Sequence, residues 1–134
     1  MSVFFETITL SNIKDEVRVE AGLLKEVRSV TLDACVDTGA WTLVINEKVR
    51  AQLGLEIKNS MFSTLADGSG KKYDMTEAVN FRWQDREYAL PALLIPEAKD
   101  ILFGALPMES LDVMADTVEE RLKGRHGDQR IHRV

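Results

Sequence analysis

The chain has 134 residues, 45% of them hydrophobic and 29% charged, which is the make-up of one soluble globular domain with no need of a disulfide framework. A net charge of −5 argues against a nucleic acid partner, because phosphate binding needs a positive surface. A single cysteine fits a reducing cytoplasm, no stretch is long enough to span a membrane, and Met1-Ser2-Val3-Phe4-Phe5-Glu6 lacks the basic start and long apolar core of a signal peptide.

In chain order, Val3 to Leu10 alternates and predicts a first strand, with Ser11-Asn12 as its turn. Val17 to Leu24 predicts a second strand, and Glu26 to Val36 a third that runs into Asp37-Thr38-Gly39-Ala40. A carboxylate at the end of a buried strand is costly unless something uses or pairs it, so Asp37 is the first candidate for chemistry. Cys35, two residues earlier, points to the same side and reads as a small core residue rather than a nucleophile. Asp33 can as easily face water. Trp41 to Ile45 resumes an apolar strand, and Asn46 as N-cap with Gly54 as stop predicts a helix over Glu47 to Leu53.

Glu56 to Ala66 should be extended, and Ala66-Asp67-Gly68-Ser69-Gly70 turns the chain. Beyond it, Tyr73, Met75, Val79, Phe81 and Trp83 fall largely on one face of a long strand, with Asp74, Thr76, Asn80 and Arg82 on the other. Gln84-Asp85-Arg86 turns the chain again, and Glu87 to Ile95 runs back, with Pro91 marking a break or an edge. Trp83 and Tyr88 beside Arg82 and Arg86 read as aromatics packed inward, not as a stacking surface. After a polar linker from Pro96 to Asp100 comes the apolar strand Ile101-Leu102-Phe103 and Gly104. Pro107 suits the first position of a second helix, with Met108 and Leu111 one turn apart. Val113-Met114-Ala115 and Val118 to Leu122 are late strands, and Glu109, Asp112 and Asp116 read as a solvated rim.

Residues 1–122 thus form one domain, followed by a basic tail over 123–134 that is frayed or packed on. His126 and His132 are too sparse for a metal site, and neither a metal nor another cofactor is expected. Many short strands, one or two short helices and frequent turns predict an all-β closed barrel.

The apolar strand, Asp37-Thr38-Gly39-Ala40, a second apolar strand and, much later, Ile101-Leu102-Phe103-Gly104 before a short helix resemble the retropepsin-like aspartic proteases. The likeness is closest to the small bacterial-type members and runs from about Val27 to about Leu122. It implies an aspartic endopeptidase with Asp37, Thr38 and Gly39 as the catalytic loop and Thr38 reaching across to a second chain. It also implies that Ala40, Phe103 and a flap tipped by Asp67, Gly68, Ser69 and Gly70 meet a peptide or protein substrate. Without the resemblance, that hairpin reads as an ordinary exposed one.

Hydrolysis by carboxylates alone takes two of them, and the chain carries one Asp-Thr-Gly, so the second acid must come from a homodimer partner. Retroviral members brace the dimer with an acid two residues after the first glycine and an arginine after the second. Here Trp41 and Ala105 stand there, both charges are missing together, and Trp41 is the candidate for an apolar brace. Phe103 is larger than the usual aliphatic residue and is expected to narrow the pocket. The alternative reading keeps the barrel as a non-catalytic peptide-binding or assembly module.

Overall fold

The computed structural model describes residues 4–64 and 67–131, so the expectations for Val3, Ala66 and His132 fall outside the described residues. Among the described residues nine strands and three helices follow in the order β1 (Phe4–Asn12), α1 (Ile13–Glu20), β2 (Ser29–Val36), β3 (Leu43–Ile45), α2 (Glu47–Leu53), β4 (Ile57–Thr64), β5 (Gly70–Trp83), β6 (Arg86–Leu94), β7 (Leu102–Phe103), α3 (Ala105–Ser110), β8 (Val113–Asp116) and β9 (Arg121–Gly124). The architecture is mostly β, as the sequence predicts, with three helices in place of one or two. Seven strands form one sheet in the order β1-β2-β7-β3-β6-β5-β4, and β1 also pairs with β5. β8 and β9 form a separate hairpin. No described helix is long and apolar enough to cross a membrane.

One consequence of this order matters for the site. β2 and β3 are joined by the short loop that holds Asp37, yet they are not neighbours, because β7 lies between them, parallel to β2 and antiparallel to β3. The loop must therefore cross the end of β7. Beneath it, Ala34, Val36, Leu43, Ile45, Phe81 and Phe103 belong to the main buried cluster. Phe81 and Phe103 meet edge to face at 5.8 Å between centroids.

Two local predictions hold closely. α2 spans Glu47–Leu53, with the Asn46 side chain accepting from Val49 N–H at 2.9 Å and Gly54 in the left-handed conformation at φ 64°. Asn46 Nδ2 also donates to Ala98 O at 3.1 Å, which ties the helix start to the linker before β7.

The strand expected over Val17 to Leu24 is instead α1 and a loop. Asn12, read as part of a turn, pairs with Val79 at the end of β1 and caps α1, accepting from Asp15 N–H at 3.0 Å. Its Nδ2 donates to Leu53 O at 2.9 Å. α1 buries only Asp15, whose carboxylate takes Arg28 Nε at 2.8 Å, Arg28 Nη2 at 3.0 Å and Arg28 N–H at 3.0 Å. An ion pair, not an apolar face, docks this helix, which explains why hydrophobic periodicity misses it.

The guanidinium of Arg28 brings the Asp15 carboxyl down from the usual carboxylate range to about 2, against the opposing effect of desolvation. A depressed folded-state value means that the pair stabilises the fold above the unfolded carboxyl's titration and loses that contribution as pH falls towards about 2. Asp15→Asn should therefore lower unfolding free energy by about 1–2 kcal/mol at neutral pH. Urea melts should show the gap between variant and wild type closing in strong acid.

The long strand β5 departs from simple alternation. Between Met75 and Ala78 its register with β6 slips by a bulge, opposite the segment that holds Pro91. An extra residue reverses the facing of everything beyond it. Val79, Phe81 and Trp83 thus enter the main cluster, while Tyr73 and Met75 join a second one with Val44, Leu93, Ile95 and Leu102. Within the bulge, Glu77 is buried and accepts from Glu56 N–H at 2.7 Å and pairs with Lys14 at 3.0 Å. Trp83 packs inward and donates from Nε1 to Glu6 at 2.6 Å, and Arg86 is buried. Tyr88 instead lies exposed under the Arg130 guanidinium, so only one of the two aromatics turns inward.

The expected solvated rim also needs correcting at Asp112. Its side chain is buried and accepts from His126 Nδ1 at 2.7 Å and Ile131 N–H at 2.9 Å. Arg86 Nη1 donates to Asp112 O at 2.8 Å, and Arg86 Nη2 to Gly127 O at 2.6 Å. His126, then the Ile131 amide, hold the Asp112 carboxyl below its usual range. Residues 125–131 are thereby fastened to the start of β8 and to β6. Pro107 is the third residue of α3 rather than its first, still within the turn where no backbone N–H is required.

Candidate active site

Asp37 follows three buried residues, Ala34, Cys35 and Val36, and is itself half-buried. Its backbone N–H donates to Phe103 O at 3.1 Å, so β7 carries the strand pairing one residue past β2. The side chain then turns the loop: Asp37 Oδ1 accepts Gly39 N–H at 2.8 Å, and Asp37 O accepts Ala40 N–H at 3.1 Å. Thr38 and Gly39 are exposed at the turn, and Ala40 is half-buried.

From Ala40 onward the loop is stitched to the start of α3. Ala105 N–H donates to Ala40 O at 2.8 Å, and Leu106 N–H donates to Trp41 O at 2.9 Å. Gly104 sits between them, where a Cβ would lie 2.5 Å from both Ala40 O and Thr42 O. The two sequence motifs, 65 residues apart in the numbering from Gly39 to Gly104, thus form one unit, in which the second glycine is the space that lets the first loop cross.

The predicted substrate-facing residues divide. Asp67, Gly68, Ser69 and Gly70 stand on a separate element, the β4–β5 hairpin. Its tip is self-held: Asp67 Oδ1 accepts Ser69 N–H at 2.9 Å and Ser69 Oγ–H at 2.6 Å, and Gly68 has φ 87°. These bonds, the Ser69 hydroxyl first, lower the Asp67 carboxyl from its usual value. Both faces of β4 are largely exposed.

Phe103 does not narrow a pocket, because its ring is fully buried against Phe81. Leu102, unremarked in the sequence except as strand, is the partly exposed residue on the opposite face, level with Cys35. Alternation carries the signal: in a β7 that buries Phe103, the neighbour must point the other way. Burial pushes the Cys35 thiol above its usual value, and the carboxylates of Asp37 and Asp100 act in the same direction. Two surface concavities, about 820 Å³ beside α1 and about 380 Å³ at the base of the hairpin, are lined by residues other than Asp37. Among the described residues no group of three or more His, Cys, Asp or Glu side chains is placed to hold a metal.

A half-buried aspartate in a tight loop, crossed from below by a space-restricted glycine, is one arrangement shared by both motifs. The family model for aspartyl proteases matches residues 17–106, about two thirds of the chain, and takes in both. The chain belongs to the retropepsin-like aspartyl protease family. That membership supports a protease-like, hydrolytic function at the level of the family. Among curated proteins none matches the chain. The family match begins inside α1, so the helix docked by Asp15 and Arg28 is partly within it.

Proposed function

We propose that this family member is an aspartic endopeptidase acting as a homodimer, with two Asp37 carboxylates at a two-fold axis and the strands arranged as a closed acid protease barrel. The observation that carries this reading is the single half-buried Asp37, fixed by its own loop and lacking a second acid from the same motif. Two carboxylates about 3 Å apart cannot both ionise, so they share one proton and their titrations split as a pair. The ionised member draws a proton from water while the protonated member donates to the scissile carbonyl oxygen, and the water oxygen bonds to carbon as the carbonyl π bond opens. The diol then collapses, its hydroxyl proton returning to one carboxylate as the C–N bond breaks and the leaving nitrogen takes the proton drawn from water.

The surroundings of the loop support a partner there. Trp41 is 47% exposed and Leu106 38% exposed, and the Leu106 amide binds the Trp41 carbonyl, so two exposed apolar residues lie on the segments that are stitched together just after the acid's loop. They replace the missing charged brace with surface that a second copy can bury. In this reading Thr38 reaches to the partner loop, Gly39 permits close approach, and Ala40 with Asp67, Gly68, Ser69 and Gly70 meets an extended peptide. Hairpin mobility is compatible with the glycines at the tip. A reducing compartment, the cytoplasm, suits its lone thiol.

The test pairs association with turnover. Sedimentation velocity should give a dimer, and unstructured peptides should be cleaved faster in acid than at neutral pH and protected by a statine-bearing peptide. A stable lone subunit at micromolar concentration would sink the proposal. Peptide affinity without turnover would select the peptide-binding module instead.

A further inference from the structure

α3 is six residues long, too short to hold itself, so partners at its two ends fix it. Its N-cap, Gly104, makes no side-chain bond, and no acidic residue stands in its first turn. The amides that a first turn leaves free go instead to the loop after Asp37, Ala105 N–H to Ala40 O and Leu106 N–H to Trp41 O. At the other end the free carbonyls meet two guanidinium groups, which also complement the negative end of the helix dipole. Arg86 Nη1 donates to Leu111 O at 3.0 Å, and Arg130 Nη2 donates to Ser110 O at 2.7 Å.

Arg130 lies well beyond residue 106, where the family match ends. Its second prong, Nη1, donates to Glu87 O at 2.9 Å, and the guanidinium lies over the Tyr88 ring at 5.8 Å, so β6 is the anchor from which it holds the helix. A planar fork fixes two carbonyls in one geometry, which the point charge of a lysine does not. Ser110 passes the hold along α3: its hydroxyl donates to Leu106 O at 2.9 Å, and the Leu106 amide donates to Trp41 O at 2.9 Å. Arg130, Ser110, Leu106 and Trp41 thus make one unbroken series of hydrogen bonds from the tail to the loop that carries Asp37. We propose that Arg130 is a positioning residue of the peptidase, holding the Asp37 loop through α3, so that residues 125–131 belong to the catalytic scaffold. This rests on the role given to Asp37 under Proposed function, where a misplacement of about 1 Å costs about a hundredfold in rate.

The experiment uses the full chain carrying Arg130→Met, which keeps an unbranched apolar stem and loses both donations. Amide hydrogen exchange should quicken by about tenfold at Ala105 and Leu106, while Val79 and Phe81, fully buried in β5, exchange as in wild type. On an unstructured peptide, at a protein concentration where variant and wild type sediment alike, kcat should fall by about tenfold with KM within about twofold. A displaced carboxylate weakens the transition state and leaves peptide binding in place. Arg130→Lys, which keeps the charge but not the fork, should move the same amides by a smaller factor, and it serves where Arg130→Met does not fold. Unchanged exchange at Ala105 and Leu106 overturns the proposal, as does exchange that quickens equally throughout the sheet, or an unchanged kcat per folded molecule. If wild type cleaves no peptide, the peptidase reading falls, and quickened exchange confined to α3 and the Asp37 loop still ties Arg130 to that loop.

Discussion

Asp37→Asn is expected to reduce peptide cleavage by about a thousandfold or more in kcat while leaving the fold in place. The two halves of that expectation have separate causes. The chemistry fails because an amide neither ionises to accept a proton from water nor shares one with its twin. The fold survives because the structural role of the side chain is to accept Gly39 N–H through Oδ1, and the asparagine carbonyl oxygen accepts the same bond. Thermal unfolding should then move by an amount equivalent to less than about 0.5 kcal/mol. The variant also tests whether the acid works in pairs. Mixed with an equal quantity of wild type and allowed to exchange, it should cut activity to about half that of the same wild-type quantity alone, since half the wild-type chains then sit in mixed dimers. Unchanged activity in the mixture would mean that each chain acts alone, and undiminished cleavage by the pure variant would remove Asp37 from the mechanism.

How far the sequence disclosed this molecule depended on whether the deciding interaction was local. α2 was legible because Asn46 and Gly54 act on their own turns of backbone, as cap and left-handed stop. α1 was not, although Asn12 caps it and Asp15 and Glu16 lie in its first turn. Val17-Arg18-Val19 alternates like a strand, and what secures the helix is Arg28, well outside any local window. The bulge in β5 is similar: no residue between Met75 and Ala78 announces it, yet it sends Tyr73 and Val79 to different clusters. At the candidate site, the Asp37 loop and Gly104 were both visible as motifs, but their contact was not. Size suggested that Phe103 lines a pocket, while the register of β7 buries it and decides that Leu102 is the residue that faces out.

Gly104→Ala should be strongly damaging to this fold. The glycine has φ −94° and ψ −166°, an extended conformation that alanine adopts freely, so conformational freedom is not the reason for its presence. Space is. The new Cβ would stand 2.5 Å from Ala40 O and from Thr42 O, both backbone atoms of the loop that crosses the end of β7. Neither can swing aside as a side chain can, and Ala40 O is already bound to Ala105 N–H at 2.8 Å. Relief requires the Asp37 loop to lift from α3, straining the Ala105 and Leu106 hydrogen bonds together. A cost of about 3 kcal/mol is expected, or a fall of roughly 10 °C in Tm.

Gly70→Ala supplies the contrast. There the added methyl meets the ring of Phe62, a side chain 73% exposed that can rotate into solvent, so the cost should stay below about 0.5 kcal/mol. Paired melting curves distinguish the two cases. If Gly104→Ala melts with Gly70→Ala, the crossing of the two loops is loose, and the glycine of the second motif does not hold Asp37 in position. If the variant is strongly destabilised and peptide cleavage falls further than the loss of folded protein accounts for, the same 2.5 Å approach that limits the methyl group also sets where the carboxylate stands.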